Sequence, residues 1–148
     1  LMRSSAASDV YKRQVTDSRI DIRNISAALS FVNNCFRNEK QEKFKVICID
    51  SGFHIKSVTD ISAGGARFTP VDFRELTKAV LNSGTDIVIL AHNHPDSPNT
   101  PSQEDVTLTR EVMRYMRCLG VTVLDHYITG KNGTISMRNC GLIHDMEC

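Results

Sequence analysis

A chain of 148 residues, of which 41% are hydrophobic and 24% charged, has the size and composition of one globular domain with a buried core. The formal net charge of +1 gives no electrostatic reason to expect a nucleic-acid partner, and no apolar run approaches the length of a membrane span. The five cysteines include no Cys-x-x-Cys pair, which argues against a disulfide framework or a cysteine zinc site. Free thiols are typical of a reducing compartment, so we expect a cytoplasmic protein without a membrane partner.

The first residues show neither a helix nor a strand pattern. Residues 1–14 are rich in Ser, Ala and Arg and resemble a translated cloning adapter or a disordered tail. We therefore predict a disordered or non-native tail over residues 1–18 and a single domain over residues 19–148.

The domain opens with a helix pattern and continues with two strand patterns. Residues 24–38 carry apolar side chains at helical spacing, and either Asn24 or Ser26 can serve as the N-cap. Residues 42–50 and 53–61 are rich in β-branched and aromatic side chains and predict two antiparallel strands joined by a short turn.

A second helix is predicted after a flexible link at residues 63–66. Thr69 is the expected N-cap, Pro70 fits the first helical position, and Asp72 completes a capping-box pattern. Gly84 is placed to end this helix.

The second half of the domain alternates strands with one long helix. Residues 85–92 form a continuous apolar run, which predicts a central strand covered on both faces. A helix over residues 102–119 follows, and Gly120 is its expected stop. Residues 121–129 and 134–137 predict two further strands. The element order predicts an α/β fold in which helices pack on both sides of one mixed sheet.

The pattern with the most chemical content begins where the central strand ends. His92 and His94 project to one side while Asn93 points to the other, because successive side chains of a strand alternate faces. Imidazole is the commonest protein ligand of metals, so two rings at one strand end can share one ion. Pro95 cannot continue strand pairing, so the chain is expected to leave the sheet there.

After a seven-residue loop, Ser102 and Asp105 have the spacing of a capping box at a helix start. Together with His92 and His94, Asp105 makes three protein ligands, and zinc with three such ligands keeps a fourth position for water. Ser102 is a candidate donor to the oxyanion of a tetrahedral intermediate. Taken alone, the pair is more often only a helix cap, and a single histidine such as His54 is more often structural. The joint occurrence of the two patterns favours a metal site.

These residues resemble a known family signature. His92-x-His94, seven residues, Ser102, two residues and Asp105 are similar to the JAMM motif of JAB/MPN-type zinc metalloproteases. The similarity covers about residues 41–137. Two finer features resemble the RadC-like branch of that family, namely the Ile89–Pro95 run and the Leu124-Asp125-His126 triplet.

The resemblance implies further residue roles and a fold. It assigns the general base to Glu42, which stands in the Glu-x-Phe context that ends at Phe44. From the residues alone, Glu75 and Glu104 are equal candidates, with Glu75 better placed to pair within its own helix. The implied architecture is the JAB/MPN fold, which is cytidine-deaminase-like, and the implied cofactor is Zn²⁺. His126 either supports the zinc ligands or is structural.

The implied activity is hydrolysis of a peptide or isopeptide bond in a peptide or protein substrate, through a metal-activated water. The alternative is a binding module, a RadC-type accessory protein of DNA repair or of a mobile element. The helix-hairpin-helix segment that often precedes the domain in this family does not stand in the sequence, so the expectation of nucleic-acid binding is weak. A zinc deaminase is disfavoured, because the chain contains no Pro-Cys-x-x-Cys element. The sequence gives no basis for an oligomeric state.

Overall fold

The computed structural model describes residues 20–63 and 70–144. The predicted N-terminal tail and most of the predicted link at residues 63–66 lie outside the described residues. Within the described ranges the chain forms one mixed β-sheet with helices on both faces, which confirms the predicted fold class.

The helices and strands follow the predicted order, with bounds that differ by a few residues. In chain order they are α1 (Ile25–Cys35), β1 (Phe44–Ile49), β2 (Ile55–Asp60), α2 (Phe73–Ser83), β3 (Ile87–Asn93), α3 (Gln103–Cys118), β4 (Thr122–Gly130) and β5 (Gly133–Ser136).

The sheet has the strand order β2-β1-β3-β4-β5. β3 and β4 are parallel, whereas the other three neighbouring pairs are antiparallel. A parallel pair needs a crossover, which the long helix α3 supplies, while short turns suffice for the antiparallel neighbours β1–β2 and β4–β5. The central position of β3 explains its apolar run, because its side chains are buried on both faces of the sheet.

The two largest of three hydrophobic clusters in the described residues lie between the sheet and its helices. One face packs against α2 and α3, through side chains such as Leu76, Val112 and Met116. The opposite face packs against α1, through Ala28 and Val32 among others. Alternation along β3 therefore places residues 88, 90 and 92 on the α2–α3 face and residues 89 and 91 on the α1 face.

The starts of two helices test the capping predictions. Asn24 caps α1 by accepting a hydrogen bond from the Ala27 N–H, in agreement with one of the two predicted caps. The prediction that Thr69 caps α2 is wrong, because Asp72 is the N-cap and its carboxylate accepts from the N–H groups of Arg74 and Glu75.

The structure also shows why α2 starts late. Ser62 and Val71 form an isolated antiparallel bridge, and the Asp72 N–H donates to the Ile61 carbonyl at 2.7 Å. This pairing keeps the backbone extended up to Asp72, so Pro70 cannot occupy the first helical turn. Gly84 ends the helix as predicted, with a left-handed φ of 61° and its N–H bonded to the Leu81 and Val80 carbonyls.

Two further predictions concern membrane spans and cysteines. None of the helices in residues 20–63 and 70–144 combines the length and hydrophobicity that crossing a bilayer requires. Cys48, Cys118 and Cys140 carry free thiols, as the sequence predicts.

Candidate metal centre

The centre is built where β3 ends. His92 is 1% exposed, and its ring stacks on Phe44 of β1 with 5.4 Å between the ring centroids and an interplanar angle of 4°. His94 follows the last residue of β3, and its N–H still donates to the Thr129 carbonyl of β4 at 2.7 Å. The strand pairing thus continues far enough to place both rings on one side of the sheet, with 2.9 Å between their Nε2 atoms.

The loop after β3 sets the orientation of the His94 ring. His94 Nδ1 lies 3.0 Å from the Pro98 carbonyl oxygen. A carbonyl oxygen only accepts hydrogen bonds, so Nδ1 carries a proton and Nε2 is the ring nitrogen that can bind a metal. Nε2 faces the centre, where a metal ligand is needed.

The β4–β5 turn holds this loop in place. The Lys131 N–H donates to the Ser97 carbonyl at 3.0 Å, and the Asn99 N–H donates to the Asn132 side chain at 2.9 Å. Gly130 allows the close approach, because a Cβ there would lie 2.3 Å from the Asn99 nitrogen. The Pro98 carbonyl that orients His94 is therefore positioned by a neighbouring element of the fold.

The N-terminus of α3 supplies the carboxylate. Ser102 is the N-cap of a complete capping box, in which its Oγ accepts from the Asp105 N–H at 3.0 Å and its own N–H donates to Asp105 Oδ2 at 2.7 Å. Burial alone would raise the pKa of Asp105, but the hydrogen bond and charge of His92 and the bonds from Ser102 hold that pKa well below its ordinary value. Asp105 is therefore ionised at neutral pH, as a metal ligand must be.

The three donor groups converge. Asp105 Oδ1 lies 3.1 Å from His92 Nε2, and Asp105 Oδ2 lies 3.4 Å from His94 Nε2. Ligands of a tetrahedral zinc ion are about 3.3 Å apart, because bonds of about 2.0–2.1 Å meet at tetrahedral angles. The spacing of the three donors is close to this value, and the set of two nitrogens and one carboxylate suits the ion.

Glu42 lies at the edge of the same centre. Its side chain is exposed, and one ligand atom each from Glu42, His92 and His94 lie within 4.8 Å of one another. Glu42 could therefore be counted as a third ligand in place of Asp105. The shorter distances from Asp105 to the two Nε2 atoms and its greater burial favour Asp105 as the ligand, which leaves Glu42 beside the open side of the centre.

Asn93 makes contacts that the sequence does not predict. Strand alternation predicts only that its side chain points away from the two histidines. Its Oδ1 accepts from the Lys43 N–H at 2.7 Å and its Nδ2 donates to the Gln41 carbonyl at 3.1 Å. These bonds fix the backbone on both sides of Glu42. No local pattern predicts this contact, because it joins residues about fifty positions apart.

A buried polar chain lies behind His92. His92 Nδ1 is 2.7 Å from His126 Nε2, and His126 Nδ1 is 2.6 Å from Thr109 Oγ1. Burial, with the nearby charge of His92, lowers the pKa of His126 well below its ordinary value, so its ring is neutral. Asp125 faces a different set of groups and accepts from the N–H groups of His126 and Arg138.

The other candidate glutamates differ in position. Glu75 pairs with Lys78 at 2.8 Å within α2, as expected of a helix surface residue. Glu104 lines a cleft of about 600 Å³ that opens beside the centre. Glu42, Ser102 and Leu108 also line that cleft. It is large enough for an extended segment of substrate next to the donors.

Comparisons with known proteins place the chain in a family. A family model described as the RadC-like JAB domain matches residues 22–142. A UPF0758 protein of Desulfitobacterium hafniense is 34% identical over 143 residues, which cover 97% of this chain and 60% of that protein. UPF0758 proteins of Symbiobacterium thermophilum and Clostridium botulinum are 34% and 32% identical, with 84% and 93% of this chain covered.

The chain spans 53% and 62% of the length of those last two relatives, so it corresponds to a little over half of each curated protein that it matches. The family match nevertheless includes all the strands and helices around the centre, from α1 through β5. The chain therefore belongs to the RadC-like JAB domain family.

Proposed function

We propose that the protein is a zinc-dependent hydrolase of peptide or isopeptide bonds. The observation that carries the proposal is the convergence of His92, His94 and Asp105 at distances of 2.9–3.4 Å, with Glu42 beside them. Three protein donors leave a tetrahedral zinc ion one position for water or substrate, which is the arrangement of catalytic rather than structural zinc sites.

Two of the ligands suit zinc for separate reasons. The Nδ1–H of His94 donates to Pro98, which leaves Nε2 as the nitrogen that can bind zinc, and Asp105 is ionised at neutral pH. When bound, zinc acts as a Lewis acid and lowers the pKa of water from about 15.7 to about 7. A cysteine site is not an alternative here, because none of the described cysteines lies among the donors.

Glu42 and Ser102 divide the remaining chemistry. Glu42 takes the proton from the attacking water and delivers it to the leaving amine, as a carboxylate does in general acid–base catalysis. Ser102 Oγ accepts the Asp105 N–H, so its own hydroxyl proton is able to point to the substrate carbonyl oxygen. The cleft of about 600 Å³ gives the substrate access to both side chains.

The test separates metal binding from proton transfer. Glu42→Gln keeps the size of the side chain and removes the base, so we expect zinc to be retained and hydrolysis to fall by about 10²–10⁴-fold. His94→Ala should lose both zinc and hydrolysis. His94 is only partly buried, so this change creates less of a cavity than a change at His92.

A proteome-wide search for cleavage products identifies the substrate, and zinc content is measured on the same preparations. Glu104→Gln is the matched control, because Glu104 lines the same cleft and has no role in the proposed mechanism. Undiminished hydrolysis in Glu42→Gln would remove the assigned role, and equal loss in Glu104→Gln would show that the cleft charge, not the base, is required.

A further inference from the structure

We propose that Thr109 and His126 are positioning residues, which keep a proton on His92 Nδ1 so that Nε2 is the ring nitrogen that binds the metal. The inference rests on the proposed zinc function and names two residues that contribute to it without touching the metal.

Four polar groups form one continuous chain behind the centre. The Thr109 hydroxyl lies 2.6 Å from the Asp105 carbonyl oxygen and 2.6 Å from His126 Nδ1. His126 Nε2 lies 2.7 Å from His92 Nδ1. The chain therefore runs from the backbone of a predicted ligand, Asp105, to the ring of another, His92.

The positions of the protons give the direction of the hydrogen bonds along these four groups. A carbonyl oxygen only accepts, so the single hydroxyl proton of Thr109 is donated to Asp105. Thr109 Oγ1 then accepts from His126 Nδ1–H. The Nε2 of a neutral His126 ring is left as an acceptor, which requires His92 Nδ1 to carry a proton. His92 Nε2, which faces Asp105 and His94, is consequently the ring nitrogen left to bind the metal.

The opposite direction is unfavourable for a physical reason. If Thr109 donated to His126 Nδ1, no proton would lie between Thr109 Oγ1 and the Asp105 carbonyl oxygen, which are only 2.6 Å apart. Two acceptor oxygens at that distance repel each other. The reversed chain would also place a proton on His92 Nε2, which would block coordination at that atom.

Burial keeps these four hydrogen-bonded groups away from water, which could supply other protons. His126 is 0% exposed, and Phe44 covers both imidazoles, with ring centroids 5.4 Å from His92 and 5.1 Å from His126. Buried polar groups must be satisfied by one another. The hydroxyl of Thr109 thus fixes the proton on His92 Nδ1 through the ring of His126.

The first experiment measures zinc affinity by competition with a chromophoric chelator. Thr109→Val keeps the shape of the side chain and removes the hydroxyl, and we expect the Kd for zinc to rise by about 10–100-fold, as is typical when a group that orients a ligand is lost. Thr109→Ser keeps the hydroxyl and should stay close to the wild-type Kd.

Thr85→Val is the matched control. Thr85 is buried and its hydroxyl donates to the Ile49 carbonyl, but it lies before β3 at the end of the strand remote from the centre. We expect Thr85→Val to lower stability and to leave the Kd for zinc unchanged. A merely structural role of Thr109 would make Thr109→Val behave in the same way.

The second experiment needs no substitution. Nitrogen-15 chemical shifts of the histidine rings, measured on the zinc-free full chain, report which ring nitrogen is protonated. We expect His126 to be protonated at Nδ1 and unprotonated at Nε2 in the wild type, and to lose this preference in Thr109→Val.

Two outcomes overturn the inference, and both differ from failure of the proposed function. They are a His126 ring that is protonated at Nε2 in the wild type, or a Thr109→Val protein that binds zinc as tightly as the wild type. A wild type that shows the expected tautomer and does not bind zinc would instead contradict the zinc hydrolase proposal.

Discussion

Three adjacent residues at the end of β3 have different tasks, which follow from the alternation of a strand. His92 and His94 face Asp105 on one side, while the amide of Asn93 holds the backbone at Gln41 and Lys43 on either side of Glu42. The position of the proposed base relative to the proposed ligands is therefore set through a single side chain.

Asn93→Ala removes both hydrogen bonds of this buried amide. We expect the free energy of unfolding to fall by about 1–3 kcal/mol. Zinc should be retained, because neither Nε2 atom is touched, while hydrolysis should fall because Glu42 is no longer held. Urea denaturation, zinc content and turnover measure the three effects. Asn34→Ala, on an exposed position of α1, is the control. Full turnover in Asn93→Ala would contradict the positioning of Glu42 by Asn93.

At the residue scale, the sequence predicts those residues of the site whose placement depends on local backbone geometry. Strand alternation and the capping-box spacing were enough to bring His92, His94, Ser102 and Asp105 together. Glu42 could be selected only through the family resemblance, since nothing near it distinguishes it from Glu75 or Glu104. The contacts of Asn93 and Thr109 depend on the arrangement of elements across the sheet, which a single sequence does not encode in any local pattern.

At the scale of elements, the β4–β5 turn acts as the support of the histidine loop. The loop contacts the turn through Ser97, Pro98 and Asn99, and Gly130 provides the space. The close approach of the loop follows from the parallel pairing of β3 with β4.

Gly130→Ala tests this support. The added Cβ would lie 2.3–2.7 Å from backbone atoms of the loop, so the loop must move and the Pro98 carbonyl with it. We expect a loss of about 1–3 kcal/mol in unfolding free energy, as for overpacking, and a weaker affinity for zinc, measured by chelator competition. Gly84→Ala is the control, because its Cβ meets no atom within 4 Å and only the left-handed φ is strained. Wild-type zinc affinity in Gly130→Ala would show that the loop orients His94 without this turn.

The wrong prediction of the α2 N-cap and the unpredicted contacts of Asn93 and Thr109 have the same cause. Thr69, Pro70 and Asp72 fit a helix start by spacing, but Asp72 alone caps the helix, because Val71 pairs with Ser62. Where a local preference competes with pairing between distant segments, the pairing determines the structure.

At the scale of the whole molecule, the sheet between its helices buries one carboxylate that the proposed chemistry does not use. Asp125 in β4 accepts from the Ser136 hydroxyl and from the N–H groups of His126 and Arg138, so it connects β4 to the segment that follows β5. Burial raises the pKa of Asp125 from the ordinary value of 3.8, although these hydrogen bonds oppose the shift.

A raised pKa in the folded state predicts the sign of a pH effect. Between pH 3.8 and the raised pKa the folded protein binds the proton more tightly than the unfolded chain, so the contribution of Asp125 to stability is lost as pH rises through this window. Asp125→Asn cannot titrate. The unfolding free energy of the variant minus that of the wild type should therefore increase with pH and then level off. Urea denaturation from about pH 3.5 to about pH 7 measures it. A difference that decreases with rising pH would contradict the assigned shift.

The most direct test of the account is the zinc content of three purified proteins, the wild type, Asp105→Asn and Glu42→Gln, determined by mass spectrometry of the metal after dialysis. Asparagine preserves the acceptor of the capping box and removes the charged ligand, whereas Glu42→Gln removes the proposed base. We predict about one zinc ion per chain in the wild type and in Glu42→Gln, and a large loss in Asp105→Asn. Zinc that is lost from Glu42→Gln and kept by Asp105→Asn would contradict the account, because Glu42 would then be the third ligand.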